Sequence, residues 1–467
     1  MQSNKFNRRM KFKIVLFLIF SSSISLFGQE CDCLKNITIL QQKIENNQAS
    51  YQHQVIEQKR LNEYFLFRTE INSKAKTIAT KKGCIGLVSL YLSFFHDEHS
   101  FISYENNYAP KPNKIIKPNR KRIYTSLPFE GIWYFQDGSF SIDIFQTKNT
   151  MGEWVGVIKN DNSKSWKKGQ IKIEFINNEN GSLSCIYWRK NLIPQTYDLH
   201  LTDSTMIIGR NLIFYRKPQV EQNTTINTND LLFRQLSEQT NYLKLPSFDL
   251  SFKNKIDSLI ANNRIGITSK KNLVIDVRNN GGGGFDAFQS ILPYLLDKNL
   301  TETPYYGSVW VSKDNYDYYN RTKYEYTESK QDSINELKYV EYLKEYLNCF
   351  TPIEKEIDTI ELEKNSPLNI AILFNRNTAS SAEGFILQAS SSKKVKTFGE
   401  NSKGAVSYGD WMPMDLPELN IWVAITTKKM IFNNNENFES IGISPDIDLK
   451  YTNESEWLNI VLKQLEK

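Results

Sequence analysis

Three separated stretches of this chain carry side chains that could do chemistry together. The first is Asn377-Thr378-Ala379-Ser380-Ser381-Ala382-Glu383. It follows Leu368-Asn369-Ile370-Ala371-Ile372-Leu373-Phe374, which reads as a buried strand, and precedes Gly384-Phe385-Ile386-Leu387-Gln388-Ala389, which reads as a helix. A strand that delivers a hydroxyl to the first turn of a helix offers it unpaired backbone N–H groups and the positive end of the helix dipole, both of which favour a developing negative charge. Ser380-x-x-Glu383 is equally a capping box, in which serine and glutamate satisfy each other's backbone donors. Taken alone, the segment suits a plain helix cap as well as a nucleophile.

The second stretch is Asp276-Val277-Arg278-Asn279-Asn280-Gly281-Gly282-Gly283-Gly284. A strand running into four glycines exposes backbone N–H groups with no side chains in the way, a setting for an oxyanion or a phosphate. It lacks the Walker lysine and does not match dinucleotide spacing, so a nucleotide site is disfavoured. The third is Phe94-Phe95-His96-Asp97-Glu98-His99-Ser100-Phe101, which closes an apolar helix. A histidine here suits a general base or a C-terminal cap. A metal reading needs a third ligand that the four histidines of the chain do not supply.

The elements that must position these groups fall into blocks. Residues 29–107 read as a helical segment, with apolar positions at helical spacing from Cys33 to Gln58 and again from Gly83 to Phe95. Residues 108–124, rich in proline and lysine, read as a linker. Residues 125–217 alternate with period two in short, regularly spaced runs. Asp137-Gly138 and Asn180-Gly181 provide hairpin signals, so a small β-rich domain, barrel or sandwich, is expected. It holds no chemistry of its own, and binding or spacing is its default role. From residue 230 to 467 strands and helices alternate, the α/β pattern, with a predicted strand over Asn272–Val277 and predicted helices over Phe285–Leu296 and Asp332–Leu347. The Tyr-rich stretch 301–366 reads as a solvated insertion or a lid.

The chain has 467 residues, 40% of them hydrophobic and 24% charged, enough for a sizeable core in two or three domains. Its net charge of +6 is local: Lys5, Arg8, Arg9, Lys11 and Lys13 precede the first acid. Without residues 1–28 the chain is nearly neutral, which gives nucleic-acid binding no support. Those residues have the basic, apolar and small-residue regions of a secretory signal, and the apolar run is short of the ~20 residues a spanning helix needs. Export to a periplasmic or extracellular location is therefore expected, with no stable membrane span after cleavage. Five cysteines then permit a disulfide, with Cys31 or Cys33 pairing Cys84 to tie the mature N-terminus to a helix. No metal or other cofactor is expected.

Together these motifs resemble the tail-specific (C-terminal processing) protease family, which includes the tricorn core. The resemblance spans Tyr242 to Leu449 and the Asp-x-His-Ser stretch at 97–100. Asp276 to Gly283 is similar to the family's aspartate–hydrophobic–arginine–asparagine–x–x–glycine–glycine turn, and Thr378 to Glu383 to its nucleophile segment. Gly399-Glu400 with Lys403-Gly404, and Glu439-Ser440-Ile441-Gly442-Ile443-Ser444-Pro445-Asp446, resemble the two segments that follow. The resemblance implies a crotonase/ClpP-like α/β catalytic domain and a serine endopeptidase acting on a peptide or protein substrate. It implies Ser380 as nucleophile, with Ser381 the alternative, and Gly282 and Ser381 N–H groups as the oxyanion hole. One branch of the family uses a serine–lysine dyad, but its lysine falls where Ala405 stands here, two residues beyond Lys403. The tricorn-like branch uses histidine and glutamate, which His99 and Glu439 match. The expectation is thus Ser380–His99–Glu439, with Ser100 as relay and Lys403 as the alternative base. A PDZ signature is absent, and the β-rich unit occupies roughly its place. The competing reading is a member that kept the fold, lost catalysis and binds a peptide or small ligand.

Overall fold

The computed structural model describes residues 31–467 except 118–121, 148–151, 179–180, 211, 219–229, 300–302, 326, 328, 354–359 and 434–435. The expected signal segment 1–28 and Asn180 of the second hairpin signal lie outside the described residues.

The apolar runs of the C-terminal half form a six-stranded sheet in the order Leu232–Gln235, Thr240–Lys244, Asn272–Asp276, Asn369–Phe374, Val395–Gly399 and Ile447–Asp448. The first pair is antiparallel and every later pair is parallel. Parallel strands are covered on both faces, which is why Asn272–Asp276 and Asn369–Phe374 are nearly continuous hydrophobic runs. One face packs the glycine-turn segment and the helix Ser381–Ala389 through Phe248, Phe288 and Phe385, and the other packs the terminal helix Trp457–Leu465. The Asn272–Asp276 and Asn369–Phe374 strands are adjacent and in register, Asp276 opposite Leu373. Their C-terminal ends therefore bring the glycine turn and the Ser380 segment side by side, the usual place for a site in an open parallel sheet.

Residues 131–215 close into an eight-stranded antiparallel barrel, each strand pairing with its sequence neighbour and Gly131–Phe135 closing on Leu212–Tyr215. Its core is the alternating apolar set that includes Trp133, Ile142, Phe175 and Phe214. The N-terminal helices Cys33–Asn47, Leu61–Ala75 and Lys81–Ser93 share one apolar core with the outer wall of the barrel and with the long strand Ile421–Phe432. Cys33, not Cys31, forms the disulfide with Cys84.

A second sheet is assembled from distant parts of the chain. Ile421–Phe432 pairs antiparallel with Ile102–Tyr104, Tyr305–Val309 and Tyr408–Leu416. The predicted insertion thus contributes a sheet strand at Tyr305–Val309. Its helices Lys313–Thr322 and Lys330–Lys344 follow, and Asn315 Nδ2 donates to the Asn47 carbonyl at 2.8 Å, which ties the segment to the N-terminal helices. The helix expected over Phe285–Leu296 is a 3-10 turn, Phe285–Ile291, that becomes α-helical only at Leu292–Leu295, where Pro293 suits the first turn.

Candidate active site

Ser380 sits between the strand Asn369–Phe374 and the helix Ser381–Ala389 with φ 57° and ψ −125°. A non-glycine residue in that region carries strain on the order of 1–3 kcal/mol, which the surroundings must over-determine. They do so from both sides. Thr378 Oγ1 donates to the Val277 carbonyl at 2.9 Å, and Asn375 Oδ1 accepts from Asn279 N–H at 3.0 Å, so the serine segment is stitched to the glycine turn. Behind that turn, Asp276 is buried and clasped by Arg278 at 2.6 Å and by the Tyr242 hydroxyl at 2.8 Å.

Glu383 has a larger role than a cap. Ser380 and Glu383 form the capping box, with Ser380 N–H donating to Glu383 Oε2 at 2.9 Å. The same buried carboxylate also accepts from Ser402 Oγ at 2.5 Å, Gly404 N–H at 2.7 Å and Ala405 N–H at 2.8 Å. Burial raises its pKa, and these donors oppose the rise. Sequence spacing revealed the cap, whereas the tie to the 402–405 loop depends on a contact about twenty residues away and left no local signal.

The histidine comes from across the molecule. His99 Nε2 is 3.1 Å from Ser380 Oγ. Asp97 shapes the loop that presents it. Asp97 Oδ1 accepts from His99 N–H at 3.0 Å, while Oδ2 accepts from Thr426 Oγ1 at 2.6 Å and Ser100 Oγ at 3.0 Å. Thr426 belongs to Ile421–Phe432, so the second sheet anchors the loop. Burial lowers the His99 pKa, opposed by the Asp97 charge and aided by that of Lys403. The ring is half-buried, but its Nδ1 is sealed from solvent and has no hydrogen-bond partner among the described residues.

The remaining expected residues are placed as follows. Glu439 is buried, and its carboxylate accepts from Glu98 N–H at 2.9 Å and Ser407 N–H at 2.8 Å. It therefore holds the residue next to His99 and forms no direct bond with the imidazole. Burial, reinforced by the Asp97 charge, pushes its pKa well above the carboxylate range. Ser100 does not stand between histidine and glutamate. Its hydroxyl goes to Asp97 and accepts from Gln48 Nε2 at 2.8 Å, because the Asp97 turn points it into the helical segment. Lys403 Nζ is 3.1 Å from Glu98 Oε2, an ion pair. Gly282 N–H is taken by Asn280 Oδ1 at 2.9 Å. A Cβ built on Gly282 would lie 2.7 Å from both Ser380 Cβ and the Ala379 carbonyl oxygen, so the glycine is needed for the close approach of the turn and Ser380. Ser381 N–H is one of the helix-start donors that lack intrahelical partners. Among the described residues, no group of three or more His, Cys, Asp and Glu side chains is placed to hold a metal.

Comparison with known proteins agrees with this architecture. The family model described as peptidase family S41 matches residues 239–449. No curated protein matches the chain. Among solved structures, mature CPAF complexed with lactacystin is similar at 14% identity with a TM-score of 0.53, covering 93% of this chain and 98% of that one. Mature CPAF alone is similar at 13% identity and TM-score 0.52, covering 93% and 97%. The photosystem II D1 C-terminal processing protease matches at 13% identity and TM-score 0.39, covering 94% and 98%. The CPAF likeness reports a shared fold across nearly the whole length of both chains. The family match covers the strand, glycine-turn and serine segments, so residues 239–449 carry the pattern of peptidase family S41, the tail-specific proteases.

Proposed function

We propose that the protein is an exported serine endopeptidase in which Ser380 is the nucleophile and His99 the general base. The observation that carries this reading is the 3.1 Å approach of His99 Nε2 to Ser380 Oγ, within the range a base needs to accept the hydroxyl proton. Lys403, the alternative base, has its ammonium paired with Glu98.

Ser380 Oγ attacks the substrate carbonyl as its proton passes to His99 Nε2, and an acyl-enzyme forms. His99 then delivers that proton to the leaving amine, and a water molecule, deprotonated by the same nitrogen, releases the acyl group. For Nε2 to accept a proton the neutral ring must carry its hydrogen on Nδ1, the buried nitrogen without a partner. Glu439 positions the base by accepting the Glu98 N–H, which fixes the loop that presents His99. Ser381 N–H supplies an oxyanion donor, and Gly282 contributes by leaving room beside Ser380. Burial keeps His99 neutral and competent as a base at neutral pH.

The Cys33–Cys84 disulfide supports the export part of the proposal, since such bonds persist in oxidising compartments. Among the described residues no helix is long and apolar enough to cross a membrane. A catalytically silent binding protein is the second reading. A member that had lost catalysis would not need the strained Ser380 backbone or its contact with His99. The test is hydrolysis of an internally quenched peptide library by the mature protein and by Ser380→Ala and Ser381→Ala variants. Cleavage between internal residues that is abolished only in Ser380→Ala is the expected result. Cleavage that survives in Ser380→Ala refutes the assignment.

A further inference from the structure

Beside the loop that carries His99 lies a cavity of about 870 Å³, walled by the barrel on one side and by Asp97, Glu98, Ser100, Arg376, Lys403 and Ser440 on the other. Neither Ser380 nor His99 lines it. It is thus a second compartment sharing a wall with the catalytic loop, and its volume is that of a ligand site.

Its charge is uneven. Arg189 and Lys190 sit exposed on the turn after the barrel strand Leu183–Trp188, and Arg210 sits half-buried after the barrel strand Thr205–Ile208. Arg210 donates to the Lys403 carbonyl at 2.9 Å, and Arg189 donates to Gln195. Among the described residues none of these three cations has a carboxylate within ion-pair distance, although the other cations of the wall do: Arg376 is paired with Glu400, and Lys403 with Glu98. Of the three acids on the wall, Asp97 is committed to Thr426, Ser100 and His99 and Glu98 to Lys403, and Asp198 is exposed on the barrel strand Pro194–Leu201, so the cations remain in excess. Lys172 is buried in the barrel wall and adds little charge at neutral pH. Its Nζ lies 3.8 Å from the ring centroids of both Trp166 and Tyr187, and burial pushes its pKa down to about 6. Apolar walls from Leu92, Phe101 and Ile193 complete the surface.

Unpaired cations in a half-apolar cleft attract an anion with apolar parts, and low-dielectric walls strengthen the attraction. The nearly neutral chain beyond the first 28 residues argues against a broad polyanion surface such as nucleic acid requires. We propose that the barrel cavity is an exosite that binds an acidic segment of the peptide substrate, held by Arg189, Lys190 and Arg210 beside the catalytic loop. The barrel then selects substrate, while the six-stranded sheet holds the chemistry. Arg210 couples the two, since it lines the cavity and bonds to the loop that Glu383 ties to Ser380. The fate of the bound segment rests on the endopeptidase reading, whereas its binding does not.

The test uses the mature full-length Ser380→Ala protein, which binds without cleaving. Fluorescein-labelled peptides of equal length, one Glu-rich, one Gln-rich and one Lys-rich, are titrated by anisotropy at low and high salt. Expected is a preference for the Glu-rich peptide that weakens with salt. In the Arg189→Glu/Lys190→Glu variant that affinity falls about tenfold, equivalent to ~1.4 kcal/mol, and the Lys-rich peptide gains affinity. Both residues are exposed, and a reversed preference cannot arise from misfolding. Equal affinity for the three peptides, or a preference unchanged by the charge reversal, overturns the proposal. So does inorganic phosphate displacing the Glu-rich peptide at concentrations matching the peptide's own dissociation constant, which would make the site one for a small anion. If the charge swap holds while active-site probes fail to label Ser380 of the wild-type protein, the catalytic reading falls and the exosite stands. If labelling holds without a charge preference, only the exosite falls.

Discussion

Replacing Gly282 with alanine should disable the site while leaving most of the fold in place. Gly282 has φ +91°, where an L-residue carries a backbone cost of roughly 1–2 kcal/mol or more. The added Cβ would lie 2.7 Å from the Ala379 carbonyl oxygen, 2.7 Å from Ser380 Cβ and 3.0 Å from Ser381 N, whereas carbon atoms pack at about 3.5–4.0 Å. All three neighbours belong to the nucleophile segment, so relief requires that segment to retreat by roughly 1 Å. Ser380 Oγ stands 3.1 Å from His99 Nε2, and a retreat of that size breaks the contact. Misplacement by about 1 Å costs on the order of 10²-fold in rate. The assay is kcat/KM on a neutral peptide together with the second-order rate of fluorophosphonate labelling, with thermal melting as the check on folding. Gly281→Ala is the control, because a Cβ there has nothing within 4 Å and its backbone is not in the left-handed region. A folded Gly282→Ala protein labelled within about threefold of wild type, or a Gly281→Ala protein equally impaired, would refute the steric argument.

Three further expectations follow from the same contacts. The Cys33–Cys84 bond closes a loop with a sequence separation of 51, so its reduction or a Cys33→Ser change should lower stability by on the order of 4 kcal/mol, read from melts with and without reductant. Burial lowers the His99 pKa, so the neutral base persists below the usual imidazole value. The base should be more than half deprotonated at pH 6.5, and kcat/KM should fall only as pH drops through the depressed pKa. The same group removes stability in that window, because the unfolded chain takes up the proton more readily, and an acid limb centred above pH 7 would contradict this. Glu383→Gln places an amide among donors from Ser380, Ser402, Gly404 and Ala405. It should cost about 2–3 kcal/mol in chemical denaturation and slow labelling of Ser380.

Residue type and order made much of the site legible. A serine after a buried strand, a glycine turn after another and a histidine ending an apolar helix are local signals, and their register against a family pattern brought Ser380 and His99 together before any distance was known. The parallel sheet was legible for the same reason, because continuous apolar runs bounded by turns need covering on both faces. What stayed hidden depends on partners distant in sequence. Nothing local distinguishes Cys31 from Cys33 as the partner of Cys84, or shows that Asn280 takes the Gly282 N–H. The Asp97 turn sends Ser100 toward Gln48, and Glu98 draws Lys403 into an ion pair. Tyr305–Val309, read as part of an insertion, became a sheet strand because Ile421–Phe432 offered it an edge. The cations of the barrel cavity lie on separate turns, and only the closed barrel gathers them.

The central claim is that His99, and not Lys403, takes the proton of Ser380. Its most direct test is the rate of fluorophosphonate labelling at neutral pH in mature wild-type, His99→Ala and Lys403→Ala proteins, each verified as folded by its melting curve. His99→Ala should slow labelling by about 10²–10⁴-fold, the usual contribution of a general base. Lys403→Ala should leave the rate within a few-fold, because a half-exposed ion pair with Glu98 is worth at most about 1 kcal/mol. Labelling that persists in His99→Ala and collapses in Lys403→Ala would contradict the account and assign the proton to the lysine.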